Sequence, residues 1–320
     1  MPYFNPYTGE SFFGFFLLFF QRVIQWICGG KMELASDEIQ LFILIGVALS
    51  SSLVGAFLIL RRMTMLANAL SHTILLGIVV AFLLMARANT MLDIPILMGS
   101  ALATGILTTF LTSFLSRTLR LQEDASIGLI FTLLFALGIL LITCFTRNLH
   151  IGTELVMGNV DALQAKDLKF IYLIFGCNIL LFSFLYRGFK ITTFDPHLAR
   201  SLGFSPLFFN YLLMVQTSMT VIGSFRAVGV LMLLVFITAP VLIARLFVTS
   251  LSSLLSLSCL TGIFATFVSV ALSRHILSFC GIGLSTGGIV VCVLVVLYLL
   301  ALSVTYFKKY FVKRKVARAD

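Results

Sequence analysis

From residue 40 to residue 307 the chain is a succession of long apolar runs separated by short polar breaks. A run of about 20 apolar residues can cross a bilayer as a helix, and a helix satisfies its own backbone in lipid. The pattern predicts nine such spans, near 40–60, 65–86, 94–115, 126–146, 168–187, 206–224, 226–248, 251–273 and 284–307. The run at 12–28 is interrupted by Gln21, Arg22 and Gln25. It reads either as a tenth span or as a helix in the interface with Trp26 as its anchor. The expected fold is therefore all-α: a polytopic transmembrane bundle of nine or ten spans. Residues 1–38 form an N-terminal extension, 39–307 the membrane domain and 308–320 a basic tail.

One polar break has a pattern of its own. In 192–206, Asp195 is a good N-cap and Pro196 suits the first helical position, where its missing N–H costs nothing. Gly203 can close the C-terminus. Phe194, Leu198 and Leu202 then fall on one stripe. The segment reads as a helix of about two turns, either a connector or a lever across one end of the bundle.

Composition removes several classes. The chain is 60% hydrophobic and 11% charged, with mean hydropathy +1.11. Soluble domains carry roughly twice that charge. The net charge of +10 does not mark a nucleic-acid face. Its basic residues lie in short loops and at the C-terminus (Lys308, Lys309, Lys313, Arg314, Lys315 and Arg318). That pattern orients a membrane protein. One set of breaks holds 14 Lys and Arg and the other 7, so the first set and the C-terminus are expected to be cytoplasmic. The opposite side collects acids, among them Asp37 and Glu38. They read as solvated loop charges or as a mildly acidic mouth suited to a cation. The six cysteines form no CxxC pair, so a disulfide framework or zinc knuckle is not expected. No HExxH and no GxxxxGK[ST] occurs, so neither a zinc protease nor an ATPase is expected within this chain.

The chemistry inside the spans is sparse. Asn68 and His72 are four residues apart, on one face of a predicted helix. A polar pair in a membrane helix is costly and should face protein or a water-filled path. The pair is either a transit site for an ion or a member of an interhelical hydrogen bond. Arg226 opens a long apolar run and either anchors it at the interface or gates it. Pro240 inside that run should kink it, as a static bend or as a hinge.

Several stretches taken together resemble the membrane permease of ABC-type zinc, manganese and iron importers, nearest the manganese/iron branch. They are GAFLILRRMTMLANALSH (55–72), EDASIGLIFTLLFALGI (123–139), GNV (158–160), FDPHLARSLG (194–203) and SFRAVGVLMLLVFITAPVLIARL (224–246). The likeness covers about 40–305. It implies a bacterial cytoplasmic (inner) membrane protein that pairs with a second permease, identical or a sister chain. It also implies two separate ATP-binding cassette ATPase subunits and an external metal-binding protein. A divalent metal ion would be carried as substrate by alternating access, with no permanent cofactor. Phe194, Asp195, Pro196, Leu198, Arg200, Leu202 and Gly203 would form the coupling helix on the ATPase. The family pattern commonly has aspartate where this chain has Asn68. The amide oxygen and a neutral His72 nitrogen still suit first-row divalent ions. Two other readings stand beside this one. A permease for a metal chelate such as a siderophore, haem or cobalamin should have a wider pore. An ion-coupled secondary transporter should keep acids deep in its spans.

Overall fold

The computed structural model describes residues 6, 7, 9, 11–27, 35–87, 94–145, 160, 163 and 165–316. Within them the chain forms eleven helices and no strand: α1 (Phe12–Ile27), α2 (Ser36–Leu60), α3 (Thr64–Arg87), α4 (Ile94–Thr118), α5 (Glu123–Phe145), α6 (Ala165–Phe184), α7 (Tyr186–Phe194), α8 (Pro196–Ser201), α9 (Pro206–Phe247), α10 (Leu251–Cys280) and α11 (Thr286–Val316). Eight helical stretches are long and apolar enough to cross a membrane. The remaining predicted span, 226–248, belongs to the second part of α9, whose apolar stretch Met232–Phe247 is shorter.

The bundle is built around α2, which packs on α6, α9 and α10. Small residues make this possible: Gly46, Ala48, Ser50, Ser51, Ser52, Gly55 and Ala56 are all buried. At Gly55 an added Cβ would lie 2.0 Å from the Ile237 carbonyl oxygen, so only glycine permits that approach. Small residues let membrane helices pack by close backbone contact where the hydrophobic effect offers little. A polar knot adds to this. Asn178 of α6 donates to Ser50 of α2 at 2.6 Å and to Thr220 of α9 at 2.7 Å. By contrast α5 and α11 turn many large apolar side chains outward, among them Leu129, Leu133, Leu140, Val296 and Leu299.

The element α9 is two helical limbs, because Gly229 interrupts it with φ 74° and ψ 170°. A positive φ of that size favours glycine. The first limb begins near the end of α2, where Arg61 bonds Asn210. The second limb ends at the same place, since Val241 and Ala244 pack with Ala56, Ile59 and Leu254. The chain therefore reverses at Gly229. The interruption falls there, while Pro240 sits buried in the second limb without non-helical torsions.

The bundle thus has a Glu38 end and an Arg61 end. Helix α1 lies across the first. Its 16 residues give about 24 Å of length, short of the ~30 Å of hydrocarbon to be crossed. Tyr7 before it and Arg22 near its end both bond the same Glu38 carboxylate. Phe16 and Phe19 pack on Phe267 of α10, and Phe19 also on Phe42 of α2. By sequence 12–28 is an interfacial helix or a tenth span; the helix found there is the shorter of the two possibilities in length, and the side chain of Trp26 lies outside the described residues. At the other terminus α11 continues to Val316, so the basic stretch from Lys308 extends the last helix.

Candidate functional site

Helix α3 divides its polar residues between two faces. Thr73 accepts a hydrogen bond from Thr108 of α4 at 3.1 Å. Gly77, one turn on, is pressed against Thr104 and the Ser100 carbonyl. That face is sealed by α4. The neighbouring face carries Asn68 and His72 and turns toward α5, which runs parallel to α3. The His72 ring lies 5.5 Å from the rings of both Phe131 and Phe135, centroid to centroid. One turn further the two backbones are close, at Gly138 beside Leu76.

Both members of the pair are half-buried. Among the described residues neither makes a hydrogen bond, and no interhelical bond of the kind considered for His72 is seen there. Polar groups in membrane helices usually find partners. Here an amide and an imidazole share one half-buried helix face, with two phenyl rings against the imidazole. Among the described residues no group of three or more His, Cys, Asp or Glu gathers as a metal site. The pair can offer one oxygen and one nitrogen, a small ligand set that would need further donors from elsewhere.

The short helix α8 is capped as its sequence predicts. The Asp195 carboxylate accepts from the backbone N–H of His197 at 3.0 Å and of Leu198 at 2.9 Å, and Pro196 opens the helix. At the other end Phe204 N–H reaches the Ala199 carbonyl at 2.9 Å and Gly203 N–H the Arg200 carbonyl at 3.1 Å. Gly203 has φ 82°. These paired bonds close the last turn in the manner glycine allows. The stripe is in place and uncovered: Phe194 is 60% exposed, Leu198 49% and Leu202 55%. Arg200 is also exposed and shares a recess of about 450 Å³ with Arg117, Phe204 and Asn210. Ala199 alone in this helix is buried. A rigid, doubly capped helix that shows three large apolar groups to water has a surface shaped for a partner.

The acids at the Glu38 end differ from the sequence reading. Asp37 and Glu38 are 5% and 6% exposed, so they are neither solvated loop charges nor free acids at a mouth. Glu38 accepts from Tyr7 at 2.7 Å, Arg22 Nε at 2.5 Å and the Ala35 N–H at 2.8 Å. Asp37 takes both ends of the Arg274 guanidinium, Nε at 2.6 Å. Burial first, and then the bond to Glu38, push the Tyr7 hydroxyl well above its ordinary range, so it remains a donor. Sequence gave no hint of these pairs, because Asp37 and Arg274 are 237 positions apart. Beside them a cavity of about 510 Å³ is lined by Gln40, Ser273 and Thr286 among others. The two remaining candidates are placed only in part. Arg226 lies late in the first limb of α9, three residues before the reversal, with its side chain outside the described residues. Pro240 lies in the second limb, where its carbonyl accepts from Thr261 at 3.3 Å.

Comparison with known proteins adds the context for these features. Residues 38–305 match the family described as "ABC 3 transport family". A "probable metal transport system membrane protein" of Chlamydia muridarum is 39% identical over 309 residues, which is 96% of both chains. The "manganese transport system membrane protein MntD" of Bacillus subtilis is 35% identical, covering 75% of this chain and 86% of its own. Among solved structures, "PsaBC from Streptococcus pneumoniae in complex with Fab" superposes with a TM-score of 0.69 at 26% identity, over 87% of this chain and 95% of that one.

Proposed function

The chain belongs to the ABC 3 transport family, and on that premise we propose that it is the membrane permease of an ATP-driven importer of a divalent metal ion, manganese, zinc or iron. The metal comes from its relatives, which are named for manganese, zinc and iron transport. ATP is hydrolysed by separate subunits, two per complex, docked at the Arg61 end, which faces the cytoplasm together with the C-terminus. A metal-binding protein delivers the ion at the Glu38 end, and a second permease completes the pore.

The observation that carries this reading is the α8 stripe. Three exposed apolar side chains on a capped helix suit a hydrophobic groove, as an amphipathic helix does in other partners. The Asn68–His72 pair supplies the other half. Its amide and imidazole, without a hydrogen bond among the described residues, share one half-buried face of α3, and the same pair from a second permease would complete the ligand set. Neutral ligands hold an ion weakly enough to release it. Because Asp37 and Glu38 are spent on arginines, the metal would meet no free carboxylate from α2 on entering.

The test is uptake by the reconstituted complex of permease, ATPase and binding protein, with manganese, zinc and ferrous iron in competition. ATP-dependent accumulation of one of these ions is expected. His72→Ala should abolish it while assembly and ATP hydrolysis persist; normal uptake in that variant would remove His72 from the route. Uptake that needs no ATP would point to an ion-coupled carrier instead.

A further inference from the structure

The turn between α2 and α3 is built as tightly as the α8 cap. Met63 N–H reaches the Leu58 carbonyl at 2.8 Å and Arg62 N–H the Ile59 carbonyl at 3.1 Å. Arg62 sits at φ 60°, the left-handed position such a closure needs. So α2 ends at Leu60 and α3 begins at Thr64 with almost no slack between them. Asn68 is about one turn into α3 and His72 about two. A displacement of this turn is handed directly to both.

One side chain ties the turn to the segment carrying α8. Arg61 Nε donates to Thr193 Oγ1 at 3.0 Å and one terminal nitrogen to Thr192 Oγ1 at 2.8 Å. The other terminal nitrogen donates to Asn210 Oδ1 at the start of α9. The guanidinium also lies over the Phe189 ring, 5.9 Å from its centroid. Thr192 and Thr193 are the last residues but two and but one of α7, and Asp195, the α8 cap, follows directly. Their hydroxyls are fixed in turn, donating to Gly188 and Phe189 carbonyls at 2.7 and 2.6 Å. The Arg61 fork is thus seated on a rigid platform whose free edge is the exposed stripe.

We infer that Arg61 is the positioning residue that transmits movement of α8 to α3, so that ATPase docking and ATP turnover shift Asn68 and His72. This rests on the reading of α8 as the coupling helix. A second route exists, since α7 and α8 touch α9 and α9 packs along α3; Arg61 differs in that it opens the α2–α3 turn and bonds α7 directly. Lysine cannot replace the arginine, because a single ammonium lacks the planar fork that reaches oxygens on two elements at once.

The experiment compares Arg61→Ala, Arg61→Lys and the acceptor variant Thr192→Val/Thr193→Val with wild type in the reconstituted complex. Metal transported per ATP hydrolysed should fall about tenfold in all three, within the range usual for coupling between sites, while ATPase co-purification and basal hydrolysis stay near wild type. Combining Arg61→Ala with Thr192→Val/Thr193→Val should be no worse than Arg61→Ala alone, since both remove one linkage. Wild-type metal-to-ATP ratios in Arg61→Ala, or uptake and hydrolysis falling in parallel with the amount of assembled complex, would overturn the assignment. A second readout needs no cargo: hydrogen exchange of α3 over 64–72 should change on ATPase docking in wild type and not in Arg61→Ala. An equal change in both would also overturn it. A wild-type complex that moves no metal would instead remove the functional reading, and the exchange arm would still decide the linkage.

Discussion

The two ends of the bundle hold their arginines differently. At the Glu38 end, Arg22 and Arg274 each meet a buried carboxylate, and these contacts tie α1, α2 and α10 together. At the Arg61 end, one guanidinium is shared among at least three neutral oxygens from α7 and α9. Opposite charges out of water resist separation strongly, since parting them leaves a charge uncompensated. Hydrogen bonds to hydroxyls and an amide are weaker singly and depend on direction. The first arrangement fastens helices to one another. The second reports their relative angle. The difference matches the division of labour proposed for the two ends: a fixed rim where the ion enters, and a jointed rim where the ATPase pushes.

That contrast can be broken most forcefully at Glu38. Glu38→Ala strands Arg22, Tyr7 and the Ala35 N–H together and should cost about 3 kcal/mol. Denaturation of the purified permease in detergent should show the loss, with ATPase affinity unchanged. Leu198→Asp should do the reverse. It removes about 2 kcal/mol of apolar burial at the docking face, about thirtyfold in dissociation constant, and leaves the melting temperature of the permease alone where it was. If both variants lost stability and docking together, the two ends would not be separable. Tyr7→Phe is milder, removing one of the several bonds to Glu38 and costing about 1 kcal/mol in the same melt. Smallest is Arg62→Gly. Relief of the positive φ at the α2–α3 turn should raise stability by about 0.5 kcal/mol, and a fall would mean that the Arg62 side chain holds something the turn geometry does not require.

Much of this was legible from local pattern. The spans show because lipid demands unbroken apolar runs, and α8 shows because Asp195, Pro196 and Gly203 each satisfy a rule spanning a few residues. The side of α3 that carries Asn68 and His72 follows from helical periodicity alone. What stayed hidden depends on partners distant in sequence. Asp37 and Glu38 read as solvated because nothing near them announces Arg274 or Arg22. The role of Arg61 could not be seen without Thr192, Thr193 and Asn210, more than 130 positions away. Within α9 the proline drew attention as a helix breaker, yet the reversal is at Gly229. A glycine permits a left-handed torsion that proline forbids, and a lone glycine in an apolar run gives no sign of using that freedom.

The reversal at Gly229 also bears on how the protein is made. Two apolar limbs joined through one residue leave no polar loop to park at the membrane surface while the second limb is still emerging from the ribosome. The two limbs of residues 206–247 are therefore expected to enter the bilayer together, since one residue is too short a link to hold the second limb outside once the first has crossed.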